Sequence, residues 1–188
     1  MPKVMLPLAA QPLWLPTENL AAGPWEPVCA PVRLASAAAS VSFASIPAQY
    51  VMFRLIGEII NDASAADIYF KFNADSGANY DVQVLGGNGV TVSSTRTTGG
   101  SSGIHLFGNA SMAASTHLTF VLTIAKPIAG AAALSVCHAT GYNGANFDIH
   151  DTAGRWANTA DLINQIAFSK SAGNFAAGSI FILEGSKF

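Results

Sequence analysis

The stretch His-Leu-Thr-Phe-Val-Leu-Thr-Ile-Ala, residues 117–125, decides the fold class of this chain. Large apolar side chains occupy every second position from Leu118 to Ile124, while threonine dominates the positions between them. This period of two places one apolar and one more polar face on an extended strand. A helix would instead space its apolar residues three and four apart, and that spacing is not sustained anywhere in the sequence. The stretch therefore predicts a half-buried β-strand.

Similar alternation recurs on both sides of this strand, separated by turns rich in glycine and asparagine. Residues 93–103, which are almost entirely Ser, Thr and Gly, are instead predicted to form a polar surface loop. Eight to ten short strands predict an all-β body over residues 41–188, with a jelly-roll-like two-sheet sandwich preferred over a barrel. These eight to ten strands are expected among eleven candidate segments, at 41–43, 51–59, 68–72, 80–85, 90–93, 104–107, 117–125, 132–139, 155–157, 162–168 and 179–184.

Residues 1–40 differ in character from this body. Seven of the nine prolines fall within the first 31 residues, and proline favours extended backbone while removing a hydrogen-bond donor. The segment is nevertheless too apolar for a solvated linker, because disordered tails are poor in aromatic residues and rich in charge. We therefore predict an extended docking arm that lies on a partner surface. Its expected anchors are Leu13, Trp14, Leu15, Trp25 and Val28.

The composition indicates a surface that is largely covered by neighbouring subunits. Charged residues make up 11% of the chain, against about 25% in ordinary soluble domains. A net charge of −2 without a basic cluster argues against nucleic-acid binding. Prolines interrupt the N-terminal apolar stretch, which argues against a signal peptide, and no apolar run is long enough for a membrane span. We expect a homo-oligomer, with a trimer as the preferred state.

The two cysteines show no disulfide-framework spacing. Cys29 lies in the predicted arm and Cys137 in the body. Pairing between them is conceivable, but two free thiols in a chain made in a reducing cytoplasm are the preferred interpretation.

The cluster Asp148-Ile149-His150-Asp151 is the strongest candidate for chemistry in this sequence. Alternation would place Asp148 and His150 on one strand face, where they could form a metal or acid–base pair. A solvated polar strand end explains the same residues and is preferred. Asp75, Asn79 and Asp81 around Gly77 resemble the composition of a calcium loop without its register, so turn chemistry is the preferred interpretation there.

No hydrolase, metalloprotease or phosphate-loop motif occurs, and a carboxylate pair for glycoside hydrolysis is not nominated by any spacing. We therefore expect a protein that is not an enzyme and needs no metal or cofactor. Tyr80, Tyr142 and Trp156 could stack on sugars, although packing in a core or interface is the commoner role of such residues. Arg96 and Tyr142 are the candidate residues for recognition of an external surface.

Two blocks of the body carry a resemblance to a known family. The first joins Ser42-Phe43-Ala44-Ser45-Ile46-Pro47-Ala48-Gln49-Tyr50 with Phe72-Asn73-Ala74-Asp75-Ser76-Gly77-Ala78-Asn79-Tyr80. The second comprises Gly154-Arg155-Trp156, Ile163-Asn164-Gln165-Ile166 and the closing run from Phe175 to Gly185. Together they resemble a recurrent pattern in small structural proteins of tailed bacteriophages, over roughly residues 41–185. The N-terminal arm departs from that family pattern.

The resemblance implies a virion component with a β-sandwich body, assembled in the host cytoplasm. Together with the low charge and the apolar arm, it favours a capsid decoration or cement protein that contacts the major capsid protein. The alternative is a tail or fibre protein that contacts tail or portal components and recognises a host-surface glycan or receptor. A carbohydrate-active enzyme or binding module is a third hypothesis, and it predicts a cleft with paired carboxylates or an aromatic platform.

Overall fold

The computed structural model describes residues 24–62, 66–107, 114–125, 130–142 and 146–187, which form an all-β fold of two antiparallel sheets. The predicted fold class is confirmed at this level. None of the described segments forms a helix with the length and hydrophobicity that a membrane span requires. The strands are β1 (Glu26–Pro27), β2 (Val32–Arg33), β3 (Ser40–Phe43), β4 (Met52–Ile60), β5 (Ile68–Phe72), β6 (Tyr80–Asn88), β7 (Thr91–Gly100), β8 (Ile104–Phe107), β9 (His117–Ala125), β10 (Ala133–Tyr142), β11 (Phe147–Trp156), β12 (Ile166–Lys170) and β13 (Ile180–Ser186).

The strands divide unequally between the two sheets. The large sheet has nine strands, in the order β1, β13, β4, β9, β10, β11, β6 and β7, with β2 also paired to β13. The small sheet has the order β3, β12, β5 and β8. Neighbours in the large sheet are mostly distant in sequence, so the sheet is assembled by long-range contacts rather than by hairpins alone.

The two sheets share one aromatic core. Phe168 of β12 in the small sheet lies 5.8 Å from Phe120 of β9 and 5.3 Å from Phe181 of β13, measured between ring centroids. Phe70 and Phe72 of β5 are fully buried beside these rings. Each large aromatic side chain removed from water stabilises the fold by roughly 1.5–3 kcal/mol, so this contact carries the association of the sheets.

The prediction of a loop at residues 93–103 is wrong, because β7 occupies residues 91–100. It pairs with β6 through a turn at Gly89, which adopts a φ of +59°. A strand rich in serine and threonine can form here because β7 is an edge strand whose side chains are exposed on both faces. A strand whose two faces are both exposed to solvent shows no sustained apolar alternation. The sequence pattern therefore does not reveal β7 beyond residue 93.

Residues 24–38, which belong to the predicted arm, run beside β13 of the same chain. β1 and β2 each add two residues to the edge of that strand. After β2, the Leu34 N–H donates a hydrogen bond to Ser179 O at 2.9 Å, and the Ala38 N–H donates one to Phe175 O at 2.9 Å. Prolines limit these strands to short pieces, and short proline-containing strands protect a sheet edge from further pairing.

Candidate interaction face

The outer face of the large sheet, defined as the side turned away from the small sheet, is the most unusual surface of the described chain. Alternate residues of β4, β9, β10, β11 and β6 point to it, while their neighbours enter the core. Its large exposed apolar side chains are Leu85, Val121, Leu134, Val136, Tyr142, Phe147 and Ile149. Single exposed hydrophobic residues are normal, but most of these form two groups on one sheet face, on either side of the His138–Asp151 pair: Leu134 with Val136, and Ile149 with Tyr142 and Phe147. Such groups of exposed apolar side chains mark a candidate interaction site.

The orientation of β11 explains why its side chains Phe147 and Ile149 are exposed on the outer face. Trp156 is fully buried, and its indole N–H donates to Asp75 Oδ2 at 2.6 Å. Two residues earlier, a Cβ on Gly154 would lie 2.6 Å from both Ile104 and the Ser135 hydroxyl oxygen, so only glycine fits there. Because side chains alternate, fixing Trp156 and Gly154 inward turns Ile149 and Phe147 outward, where Phe147 is 77% exposed.

Charges on the outer face are matched across strands. Arg54 pairs with Glu184 at 2.6 Å, and His138 Nδ1 lies 2.6 Å from Asp151. Arg155 donates through Nε to Asp81 at 2.7 Å. The partners of all three pairs sit directly opposite each other in the register. The two arginine pairs bring opposite charges together, whereas His138 balances Asp151 only when its imidazole is protonated. Exposed pairs of this kind add little stability. A face whose charged side chains are largely engaged within the chain is suited to burial against a partner.

A shallow groove of about 350 Å³ lies on this face, across β13, β4, β9 and β10. We refer to it as the outer-face groove. Its walls are mainly the aliphatic side chains of Ile56, Val121, Ile180 and Ile182. The rim carries Glu58, Thr119, His138 and Thr140. A volume of this size, with apolar walls and a few polar rim groups, is typical of a site that takes one or two bulky side chains.

The described chain begins at the border of the same face. The Trp25 ring lies over the Arg54 guanidinium, 5.0 Å from its central carbon to the ring centroid. Glu26 next to it accepts a hydrogen bond from the Tyr50 hydroxyl at 2.8 Å and pairs with Lys187. These contacts lower the pKa of Glu26, through the hydrogen bonds from Lys187 and then Tyr50. Trp25 and Glu26 are thus fixed to their own body at the β13 side of the outer face.

A second polar cluster is enclosed between the sheets. Asp148 and His150 share one face of β11, as predicted, but both are buried, so the preferred interpretation of a solvated strand end is wrong. The His150 ring lies 4.0 Å from Phe107 between centroids, and within the described residues its Nδ1 has no hydrogen-bond partner. Burial lowers the pKa of His150, and the neighbouring His105 lowers it further.

His105 shares this environment. Its ring packs against Tyr69 at 4.5 Å, and burial lowers the pKa of this imidazole as well. Both histidines are therefore held neutral near pH 7. Within the described ranges, no group of three or more His, Cys, Asp or Glu side chains is arranged to hold a metal ion.

The turn around Gly77 is organised as the turn interpretation predicts. Asp75 accepts hydrogen bonds from Gly77 N–H and from the Asn79 amide, each at 2.8 Å, in addition to the Trp156 indole. Desolvation opposes ionisation of Asp75, but these hydrogen bonds outweigh it and hold the pKa of the carboxyl below its usual range. Asp81 is engaged separately by Gly99 and Arg155.

The remaining predicted site residues fall in different places. Leu13, Trp14 and Leu15 lie outside the described residues, and Val28 packs against the core of its own chain. Arg96 is exposed on β7. Tyr142 belongs to the exposed outer-face residues, and its ring centroid lies 5.3 Å from that of Phe147, in a tilted arrangement, where β10 ends and β11 begins.

Two of the three aromatic residues considered for sugar stacking cannot serve that role, because Tyr80 and Trp156 are fully buried. Apart from Tyr142, none of the outer-face residues was nominated as a site from the sequence. The available signal was the pair Leu134 and Val136, which are apolar on the face opposite Ser135 and Cys137. A strand that is apolar on both faces indicates that both faces are covered.

No protein-family model matches this chain, and no curated protein is significantly similar to it. Its function therefore has to be inferred from the geometry of the fold and of the outer face.

Proposed function

We propose that this chain is a non-enzymatic structural protein of a tailed-bacteriophage virion, of the capsid decoration or cement type. In this proposal, the outer face attaches the body to the shell surface, which the body covers. The observation that carries the proposal is the outer face, which is apolar, charge-matched and exposed. Such a face is costly to leave in water and favourable to bury in an assembly.

The strand order supports a jelly roll. In that fold, eight strands form one sheet from the first, eighth, third and sixth, and the other from the second, seventh, fourth and fifth. Here β3, β12, β5 and β8 take the first set of positions, and β4, β9, β6 and β7 the second. The β10–β11 hairpin is inserted between β9 and β6, and β13 extends the sheet beyond β4. Jelly rolls are common among viral capsid and lectin domains.

The inserted hairpin supports the same role. β10 and β11 contribute Leu134, Val136, Ile149 and Phe147, and Phe147, Val136 and Leu134 are the three most exposed large apolar side chains of the outer face. An addition to the eight-strand plan that mainly enlarges an apolar surface is expected of a protein that attaches through it. We propose a homotrimer that contacts the major capsid protein, with no nucleic-acid or membrane partner.

Localisation on the particle tests this proposal most directly. Gold-labelled antibody against the body should decorate the heads of intact particles in electron micrographs, at a regular spacing. A full-length variant carrying Leu134→Lys and Val136→Lys should fold normally but fail to rebind particles that have been stripped of the protein. A variant carrying Thr95→Lys and Thr97→Lys provides a matched control, since it adds the same two charges at exposed positions of β7, outside the hairpin and the groove. Absence of the protein from particles would overturn the proposal.

A tail or fibre protein that recognises a host-surface glycan is the second candidate. It is favoured by the exposed Tyr142–Phe147 pair, because aromatic rings at a strand end offer a stacking surface for sugar rings. Arg96 is a further exposed candidate on β7. Glycan-array binding that is lost on Tyr142→Ala and Phe147→Ala, but kept on Leu162→Ala, would favour this candidate. Labelling at the tail instead of the head would point the same way.

A further inference from the structure

We infer that the outer-face groove is the docking site for the segment Leu13-Trp14-Leu15 of the same chain. This inference does not rest on the virion assignment, because it concerns the isolated protein. It assigns an occupant to the groove and a receptor surface to the N-terminal residues.

The first argument is the position at which the described chain starts. Trp25 lies over Arg54 on the outer side of β4, and Ile56 of the groove is the next residue of that strand on the same face. Two residues of a strand span about 7 Å. The described chain therefore begins about one side-chain row from the groove.

The second argument is reach. Nine residues, 16–24, separate Leu15 from Trp25. An extended proline-rich chain advances about 3.1 Å per residue, so this stretch covers up to about 28 Å. The groove begins well inside that radius, and the short tether gives the segment a high effective concentration at the site. Docking within one chain is therefore favoured over capture of the same segment from a second molecule.

The third argument is chemical fit. Residues 1–23 carry only two charged side chains, Lys3 and Glu18, and both lie outside the Leu-Trp-Leu segment. The aliphatic groove walls match the indole ring and one of the two leucines of the segment. An indole has one polar atom, its N–H, and needs an acceptor when buried. The hydroxyls of Thr119 and Thr140 lie at the groove rim and can accept this hydrogen bond.

The prolines flanking the segment reduce the cost of docking. Pro12 and Pro16 bracket it and limit the backbone conformations available before binding. A segment that is already extended loses less entropy when it settles into a groove.

The test uses full-length protein and a synthetic peptide of residues 8–20. A variant carrying Leu13→Ser, Trp14→Ser and Leu15→Ser leaves the groove vacant, so this variant should bind the peptide at least tenfold more tightly than the wild type does. Adding Val121→Lys inside the groove should abolish peptide binding. Adding Val136→Lys, which places the same charge outside the groove on β10, should not. Isothermal titration calorimetry measures each affinity, and thermal melting confirms that every variant is folded.

Thr119→Glu serves as a second groove variant, in case Val121→Lys alters the strand. Equal affinity of the peptide for wild type and the serine variant, or no binding to either, would overturn the inference. Sedimentation velocity distinguishes docking within a chain from docking between chains. A wild-type oligomer that dissociates in the serine variant would place the segment on another copy and would also overturn it. Particle localisation is unaffected by either result, so this inference and the proposed function fail separately.

Discussion

Trp156 and Asp75, which are 81 positions apart, are joined by a 2.6 Å hydrogen bond from the indole N–H to a carboxylate oxygen. The bond connects the turn after β5 to the end of β11 beside the core. It also fixes the inward facing of the whole strand, because side chains alternate from Trp156 backwards. The exposure of Ile149 and Phe147, on which the interaction face depends, follows from this one anchor and from Gly154.

Removing the carboxylate should therefore weaken the fold. We expect Asp75→Ala to lower the free energy of unfolding by about 1.5–3 kcal/mol, because a buried indole N–H loses its charged acceptor. Urea denaturation followed by tryptophan fluorescence measures the change. Asp161→Ala, at an exposed position, is the control and should cost less than about 0.5 kcal/mol. A Trp156→Phe background should remove most of the Asp75→Ala effect, and persistence of the full effect would contradict the assigned bond.

Substitution of an exposed aromatic residue on the outer face and of a buried one between the sheets should change the free energy of unfolding by very different amounts. Phe147→Ser should change the free energy of unfolding by less than about 0.5 kcal/mol, since the ring is exposed. Phe168→Ala should cost about 3–5 kcal/mol, because that ring is buried between the sheets. Thermal or urea unfolding of both variants measures the contrast. A large loss from Phe147→Ser would mean that the facing of β11 is not as described.

The buried histidines predict a loss of stability in mild acid. Burial lowers the pKa of both His105 and His150, so the unfolded chain binds protons more readily than the folded one. Stability is then complete above the unfolded pKa of about 6.5 and declines as the pH falls from there through the folded-state values. Urea unfolding between about pH 7.5 and pH 5.5 isolates this effect from the carboxylates, which titrate lower.

His150→Gln is the matching variant, because its neutral side chain takes up no proton in that range. Its free energy of unfolding should depend less on pH than that of the wild type over the same interval. Identical slopes in the two proteins would exclude His150 as the source of the acid sensitivity.

The two cysteines should react with very different rates. Cys29 is exposed, whereas Cys137 is buried and burial raises the pKa of its thiol to about 12. A colorimetric thiol reagent should modify Cys29 in the native protein and Cys137 only after unfolding. Cys29→Ser should abolish the native reaction, while Cys137→Ala should leave it intact. Rapid labelling of both thiols in the native state would contradict the described core.

Much of the strand pattern was predictable from local sequence. The alternation at residues 117–125 and 104–107 gave those strands their observed bounds, and the turn chemistry of Asp75 and Gly77 was recognised correctly. Local signals succeed here because a half-buried strand and a tight turn each impose their own residue pattern. The part of β7 beyond residue 93 was missed for the same reason, since an edge strand exposed to solvent on both faces imposes no apolar alternation.

The sequence by itself determined an all-β chain with low charge, with its strands, its turns and its proline-rich beginning. Only the tertiary structure decided which face of each strand is buried. In β11, the alternation allows either Asp148 and His150 or Ile149 and Phe147 to face inward, and hydrophobicity alone favours the second choice. The first is adopted because Trp156 must reach Asp75 and because only glycine fits at position 154. Those constraints come from residues distant in sequence, and they are what place an apolar surface outside.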